Sequence, residues 1–170
     1  TEELDEHGVS TSIVKEFNNS KATAWPARHV FDIPSGYVDF GEKSVSLNGL
    51  ATCDRSQSPA SSFCVGQTVV FYYELLALVP LKIPITGIIL TNEKNTTVHA
   101  KHTYQYDLGS LPEKLAPGVT IRVWQEIKLD IAPGEYSVAI DFCSLPKHLY
   151  DQLDLLSFPD FKEGVENAQK

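Results

Sequence analysis

Methionine is missing from this chain altogether, and cysteine is reduced to three residues. The three, Cys53, Cys64 and Cys143, are an odd number without CxxC spacing, so neither a disulfide framework nor a zinc site is indicated and a reducing compartment is expected. Basic residues are also scarce: 14 Lys and Arg face 22 Asp and Glu, for a formal net charge of -8. That balance disfavours a protein that works by neutralising nucleic-acid phosphates or by docking on anionic lipid. No apolar run approaches bilayer-spanning length. With no signal peptide and no initiator before Thr1, the sequence is expected to be a piece of a longer protein, and any membrane association is expected to be indirect.

The motifs of catalysis are absent as well. There is no nucleophile elbow, no phosphate-cradling glycine loop and no zinc-protease helix. The acidic residues are scattered rather than paired by a recognisable motif, although a glycosidase needs only two carboxylates brought together by the fold. His99 and His102 are three apart and would face opposite sides of a strand, which prevents them from holding one metal together. No catalytic residue, metal or cofactor is expected. Two Asn-x-Ser/Thr triplets, at Asn18 and Asn95, match the glycosylation pattern, which has meaning only in a secretory pathway.

What is present has the length of one domain, 170 residues, with 42% hydrophobic and 21% charged residues, as in ordinary globular domains. Residues 1–28 read as a linker or a peripheral helix, from the spacing of Val9, Ile13, Val14 and Phe17 before the Trp25-Pro26 break. Residues 29–158 read as the folded domain and 159–170 as a tail. From Gly41 onward, short runs of Val, Ile, Tyr, Phe and Thr alternate with Gly, Pro, Asn and Asp clusters, the pattern of strands joined by turns. Strands are expected over 44–52, 68–77, 86–91, 97–103, 119–128 and 135–143, with a last one over 153–158. The loop 54–63 is Ser-rich and expected to be exposed. The 92–95 and 130–134 turns are read as links between antiparallel neighbours. The fold class that follows is all-β, an antiparallel two-sheet sandwich.

Alternation assigns faces. In 119–128, Val119, Ile121, Val123, Gln125 and Ile127 point inward, which leaves Thr120, Arg122, Trp124, Glu126 and Lys128 outward. In 68–77, Val69, Phe71, Tyr73, Leu75 and Ala77 point inward, placing Tyr72 and Glu74 outward, because the opposite register would bury the Glu74 carboxylate. In 135–143, Tyr136, Val138, Ile140 and Phe142 are inward and Asp141 outward. Two aromatics, Trp124 and Tyr72, are thus expected on outer, solvent-facing positions. Each has a structural alternative. Trp124 could be a rim residue covered by the N-terminal segment or a partner chain, and Arg122 and Glu126 could be members of cross-strand ion pairs.

Three segments carry a resemblance. Phe63-Cys64-Val65-Gly66-Gln67-Thr68-Val69-Val70-Phe71, Pro84-Ile85-Thr86-Gly87-Ile88-Ile89-Leu90-Thr91-Asn92 and Leu129-Asp130-Ile131-Ala132-Pro133-Gly134-Glu135-Tyr136-Ser137-Val138 occur in an order similar to that of the C-terminal carbohydrate-binding domain of Wzt-type polysaccharide ABC transporters. The likeness runs from about Gly41 to Phe158. It departs at 98–103, where the family's "G-x-N-T" segment is missing. The resemblance implies an immunoglobulin-like or jelly-roll sandwich that recognises the finished end of an O-antigen glycan before export. It also implies a cytoplasmic location at the inner membrane through the parent transporter, and homodimers that exchange C-terminal strands. A sugar stacks its C–H face on an aromatic ring and bonds its hydroxyls to charged and amide groups. Trp124, Tyr72, Arg122, Glu74, Glu126 and Asp141 are the candidate carbohydrate-binding residues on that basis. Competing readings are a substrate tether for a glycan-modifying enzyme and a protein-interaction sandwich without a sugar ligand.

Overall fold

The structure, a computed structural model, describes residues 14–18, 25–27, 32–39, 41, 43–105 and 111–153. Its strands are β1 (Val14–Asn18), β2 (Val45–Cys53), β3 (Thr68–Ala77), β4 (Ile83–Asn92), β5 (Thr97–His102), β6 (Thr120–Lys128) and β7 (Tyr136–Leu145). They form a four-stranded sheet in the order β1-β6-β3-β2 and a three-stranded sheet in the order β5-β4-β7. Among the described residues the helical elements are a 3-10 turn at Thr103–Gln105 and the single turn α1 (Lys147–Tyr150). The expected strand over 153–158 lies outside the described residues but for Leu153. The antiparallel two-sheet sandwich expected from the alternation is the fold, with one parallel pairing added at an edge.

That pairing corrects the reading of the N-terminal segment. Residues 14–18 are not helical: they form an edge strand parallel to β6, with Val14 opposite Thr120 and Asn18 opposite Trp124. The apolar spacing that suggested a helix involves positions too few to choose between the two periods, and an open edge on β6 offers backbone partners that an isolated helical turn lacks.

The inward registers hold in β3 and β6. Val69, Phe71, Tyr73, Leu75 and Ala77 meet Ile121, Val123 and Ile127, together with Ile88 and Leu90 of β4, in the core between the sheets. Burial of these β-branched and aromatic side chains is what holds the two layers together. Gln125, expected on the same face, is 1% exposed there. It accepts from the Tyr73 hydroxyl at 3.1 Å. The Thr86 hydroxyl, 3.3 Å from the Tyr73 oxygen, donates to the Asp141 carbonyl at 2.7 Å. These bonds carry polar groups through the interior without leaving them unpaired.

A second correction concerns 130–134. The segment does not make β6 and β7 neighbours: β6 lies in one sheet and β7 in the other, bonded to β4. Leu129 stays tied to the β3 end, donating its N–H to the Gln67 carbonyl at 2.8 Å and accepting from Gly66 N–H at 2.9 Å. The chain then turns at Pro133-Gly134 and crosses the sandwich. Tyr136 Oη donates to the Ala132 carbonyl at 2.5 Å and braces the corner. By contrast, the 92–95 turn does join antiparallel neighbours, with Asn92 Oδ1 accepting from the Lys94 and Thr96 N–H groups.

Candidate functional site

The outer face of the four-stranded sheet holds the residues that sequence singled out. Trp124 and Tyr72 are directly opposite in the β3–β6 register, and their rings stack 5.8 Å apart at an interplanar angle of 10°. They do lie on the outer face, yet they do not face solvent: Trp124 is 2% exposed and Tyr72 1%. With Ala51, Cys53 and Val70 they form a small second core. What covers it is Trp25, whose ring meets Tyr72 edge-on at 5.2 Å. The route of the chain explains this. β1 pairs with β6 at one edge, Trp25 sits over β3, and Asp32 exchanges backbone hydrogen bonds with Leu50 of β2 at the other edge. The described parts of the N-terminal segment, 14–18, 25–27 and Asp32, therefore lie as a strap across the sheet. The expectation of an open aromatic platform is overturned, and the alternative of a tryptophan covered by the N-terminal segment describes the molecule.

The charged groups around this face are paired. Arg122 Nε donates to Glu74 Oε1 at 3.0 Å across the strands, and the guanidinium lies 5.3 Å from the centre of the Trp25 ring. Glu74 points outward as expected but is 4% exposed, so its burial is tolerated because a guanidinium faces it. Glu126 accepts from Arg55 at 3.0 Å. Under the strap, Tyr72 Oη has no hydrogen-bond partner among the described residues. Its pKa is pushed up to about 12, chiefly by burial, with Cys53 and Glu126 adding to it.

Asp141 is not part of this face. It lies on β7, in the other sheet, where its Oδ2 is 2.6 Å from His102 Nε2 on β5. Gly87 of β4, between the two in register, makes the reach possible: a Cβ there would come within 2.7 Å of His102 Cδ2 and of the Lys101 carbonyl oxygen. The bond to Asp141 raises the His102 pKa against the opposing effect of burial. Tyr104 stacks on the same ring at 5.9 Å. His99, on the opposite face as its spacing required, is held below the ordinary histidine range, mainly by burial.

A further concavity was not singled out from sequence. It is a groove of about 910 Å3 at the β2 and β7 side of the sandwich, between the 61–65 loop and the 129–135 corner. Phe63, Val69, Phe71, Leu90, Leu129 and Val138 give it apolar walls, and Thr52, Ser61, Ser62, Tyr136 and Glu135 supply polar groups. Its size falls in the range of about 300–1,000 Å3 typical of small-ligand sites. The walls are fixed. Gly66, at a φ of 84° open to glycine, closes the turn that bonds to Leu129, and Cys64 N–H donates to Gln67 Oε1 at 2.7 Å. The one sequence signal for it was the exposed Ser-rich loop beside the Pro-Gly corner.

Among the described residues no helix is long and apolar enough to cross a membrane. No curated protein matches the sequence. A solved structure described as the C-terminal domain of Wzt is similar in fold, with a TM-score of 0.56 at 10% identity, over 62% of this chain and 63% of that one. Less than two thirds of that neighbour is therefore spanned. The family model for the Wzt C-terminal domain matches residues 37–158, which take in both walls of the groove and every strand except β1. The strap up to Asp32 lies before the matched region, and the chain belongs to the Wzt C-terminal domain family.

Proposed function

We propose that this domain is a non-catalytic glycan-recognition module that binds the end of a bacterial surface polysaccharide and so selects it for an O-antigen ABC transporter. Family membership supports the association with such a transporter. The observation that carries the recognition step is the groove, a preformed concavity that offers aromatic faces and hydroxyl acceptors together, as a pyranose ring requires. Trp124 and Tyr72 serve this module by holding the four-stranded sheet rigid under the strap, with Arg122, Glu74 and Glu126 as its ion-paired surround. Asp141, with His102, belongs to the opposite outer face.

The module works in the cytoplasm, at the inner membrane through its transporter, and as a homodimer. For the dimer, the support is β7: among the described residues it pairs with β4 alone, leaving a strand edge open. Leu145 does not require a partner's surface, being 1% exposed within the chain. The test is binding of the chain to an array of bacterial polysaccharides, repeated with Val65→Asp. Val65 is 60% exposed in the groove, so the substitution spares the fold. Binding to at least one polysaccharide, reduced at least tenfold by Val65→Asp, is expected. Binding to none rejects the reading, and binding untouched by the substitution moves the site elsewhere.

A further inference from the structure

Strand β5 carries two histidines under opposite constraints. Among the described residues it is an edge strand, bonded to β4 alone. His99 and His102 are three positions apart on it and so lie on opposite faces. His99 stands opposite Leu90, on the side of the core, and its Nε2 is buried without a hydrogen-bond partner among the described residues. The charge that acts on it is Lys101, two positions further along the same face. β4 meets it with the uncharged Leu90, and β6 brings the neutral Gln125, whose amide donates to the Lys101 carbonyl at 3.4 Å. A proton on His99 would therefore place a second positive charge beside an ammonium, where burial already opposes one.

His102 is the reverse case. Its ring crosses over Gly87 of β4 to reach Asp141 on β7, so one side-chain bond of 2.6 Å spans all three strands of the sheet. Gly87 brings no charge, Tyr104 stacks on the ring, and the Gln105 side chain accepts from the His102 backbone N–H at 2.8 Å. A proton on His102 turns the bond to Asp141 into an ion pair. The next residue is tied down as well, with Thr103 Oγ1 accepting from the Thr86 N–H at 3.1 Å.

We propose that β5 is a pH-sensitive latch, seated most firmly on β4 when His102 is charged and His99 is neutral, and loosened when either condition fails. The two protonation steps have opposite signs. His99 is held down chiefly by burial and then by Lys101, so its contribution is present above the ordinary histidine value and is lost as pH falls through its lowered folded pKa. His102 is raised chiefly by its bond to Asp141, against the effect of burial. Its contribution is present below the ordinary value and is lost as pH rises through its raised folded pKa. Seating is therefore firmest near the ordinary histidine pKa of about 6.5 and weakens on both sides of it. The latch also adjoins the groove. Leu90, opposite His99, is part of the groove wall, so the seating of β5 sets how firmly that wall is backed.

The experiment is NMR of the isotope-labelled chain from about pH 5 to about pH 8, following the histidine rings, the Leu90 methyl groups and amide hydrogen exchange. Protection of the β5 amides, corrected for the intrinsic pH dependence of exchange, is expected to peak near the middle of the range and to fall about threefold or more toward each end, while protection in β3 stays level. The Leu90 methyl signals should follow the same profile. Asp141→Asn should remove the fall on the alkaline side and bring the His102 titration down, and His99→Phe should remove the fall on the acid side. A β5 profile that is flat, that runs in one direction only, or that β3 shares in full overturns the proposal, as do two histidines that titrate together. These outcomes are read in the unaltered chain, so none of them depends on the folding of a variant. A peak that keeps its shape in both folded variants overturns it as well.

Discussion

The outer face of the four-stranded sheet and the groove between the sheets have opposite fates. The outer face has two stacked rings flanked by three charged groups, and it is closed by Trp25. The groove, with Phe63, Phe71 and Tyr136 in its lining, is open. Aromatic content therefore does not decide access; which segment lies on top does. A ring on a sheet face is worth most to stability when something covers it, and a strap of the same chain does so without the entropic cost of recruiting a partner.

The difference can be broken most sharply at Trp124. Its replacement by Ala would empty the centre of the covered cluster and cost about 3–5 kcal/mol of folding stability. Urea denaturation measures this. A loss below about 1 kcal/mol would mean that the cluster is not a core and that the strap sits loosely. Arg122→Ala comes next, because it leaves the Glu74 carboxylate buried without its guanidinium and removes the cation from the Trp25 ring. A loss of about 3 kcal/mol is expected. It should be accompanied by greater acrylamide quenching of tryptophan fluorescence as the strap loosens, a readable signal in a chain with only two tryptophans. Polysaccharide binding by either variant, measured where it is still folded, should match that of the unaltered chain if the two regions are independent.

The smallest effect is expected for Tyr72→Phe. The hydroxyl it removes is buried without a partner among the described residues, so stability should be unchanged or rise by up to about 1 kcal/mol. A clear loss in thermal unfolding would show that the hydroxyl is bonded and that the face is sealed more completely than its geometry indicates.

The sandwich was legible because β3 and β6 alternate without interruption, and the inward positions Val69 through Ala77 and Ile121 through Ile127 came out as the core. The covered state of Trp124 was not legible. Alternation assigns a side chain to a face but says nothing of what lies over that face, and Trp25 reaches Tyr72 only through a crossing that no local pattern encodes. Asp141 was grouped with Trp124 for the same reason: both point outward, but from different sheets. The placement of β6 and β7 in separate sheets depended on the backbone bonds of Leu129 to Gly66 and Gln67, residues more than sixty positions away. The groove arises at that crossing, which is why no run of neighbouring residues announced it.

The strap also orders events in time. β1 pairs with β6, and the contact between Val14 and Thr120, near opposite ends of the described chain, closes one of the longest loops in the fold. Such closures form late, after the local β2–β3 and β4–β5 hairpins have reduced the search. Until then the Tyr72–Trp124 stack is bare. A newly made chain passes through a stage in which its most aromatic surface is exposed and its cover is still unattached, and its tendency to aggregate should peak in that interval, declining as the strap docks.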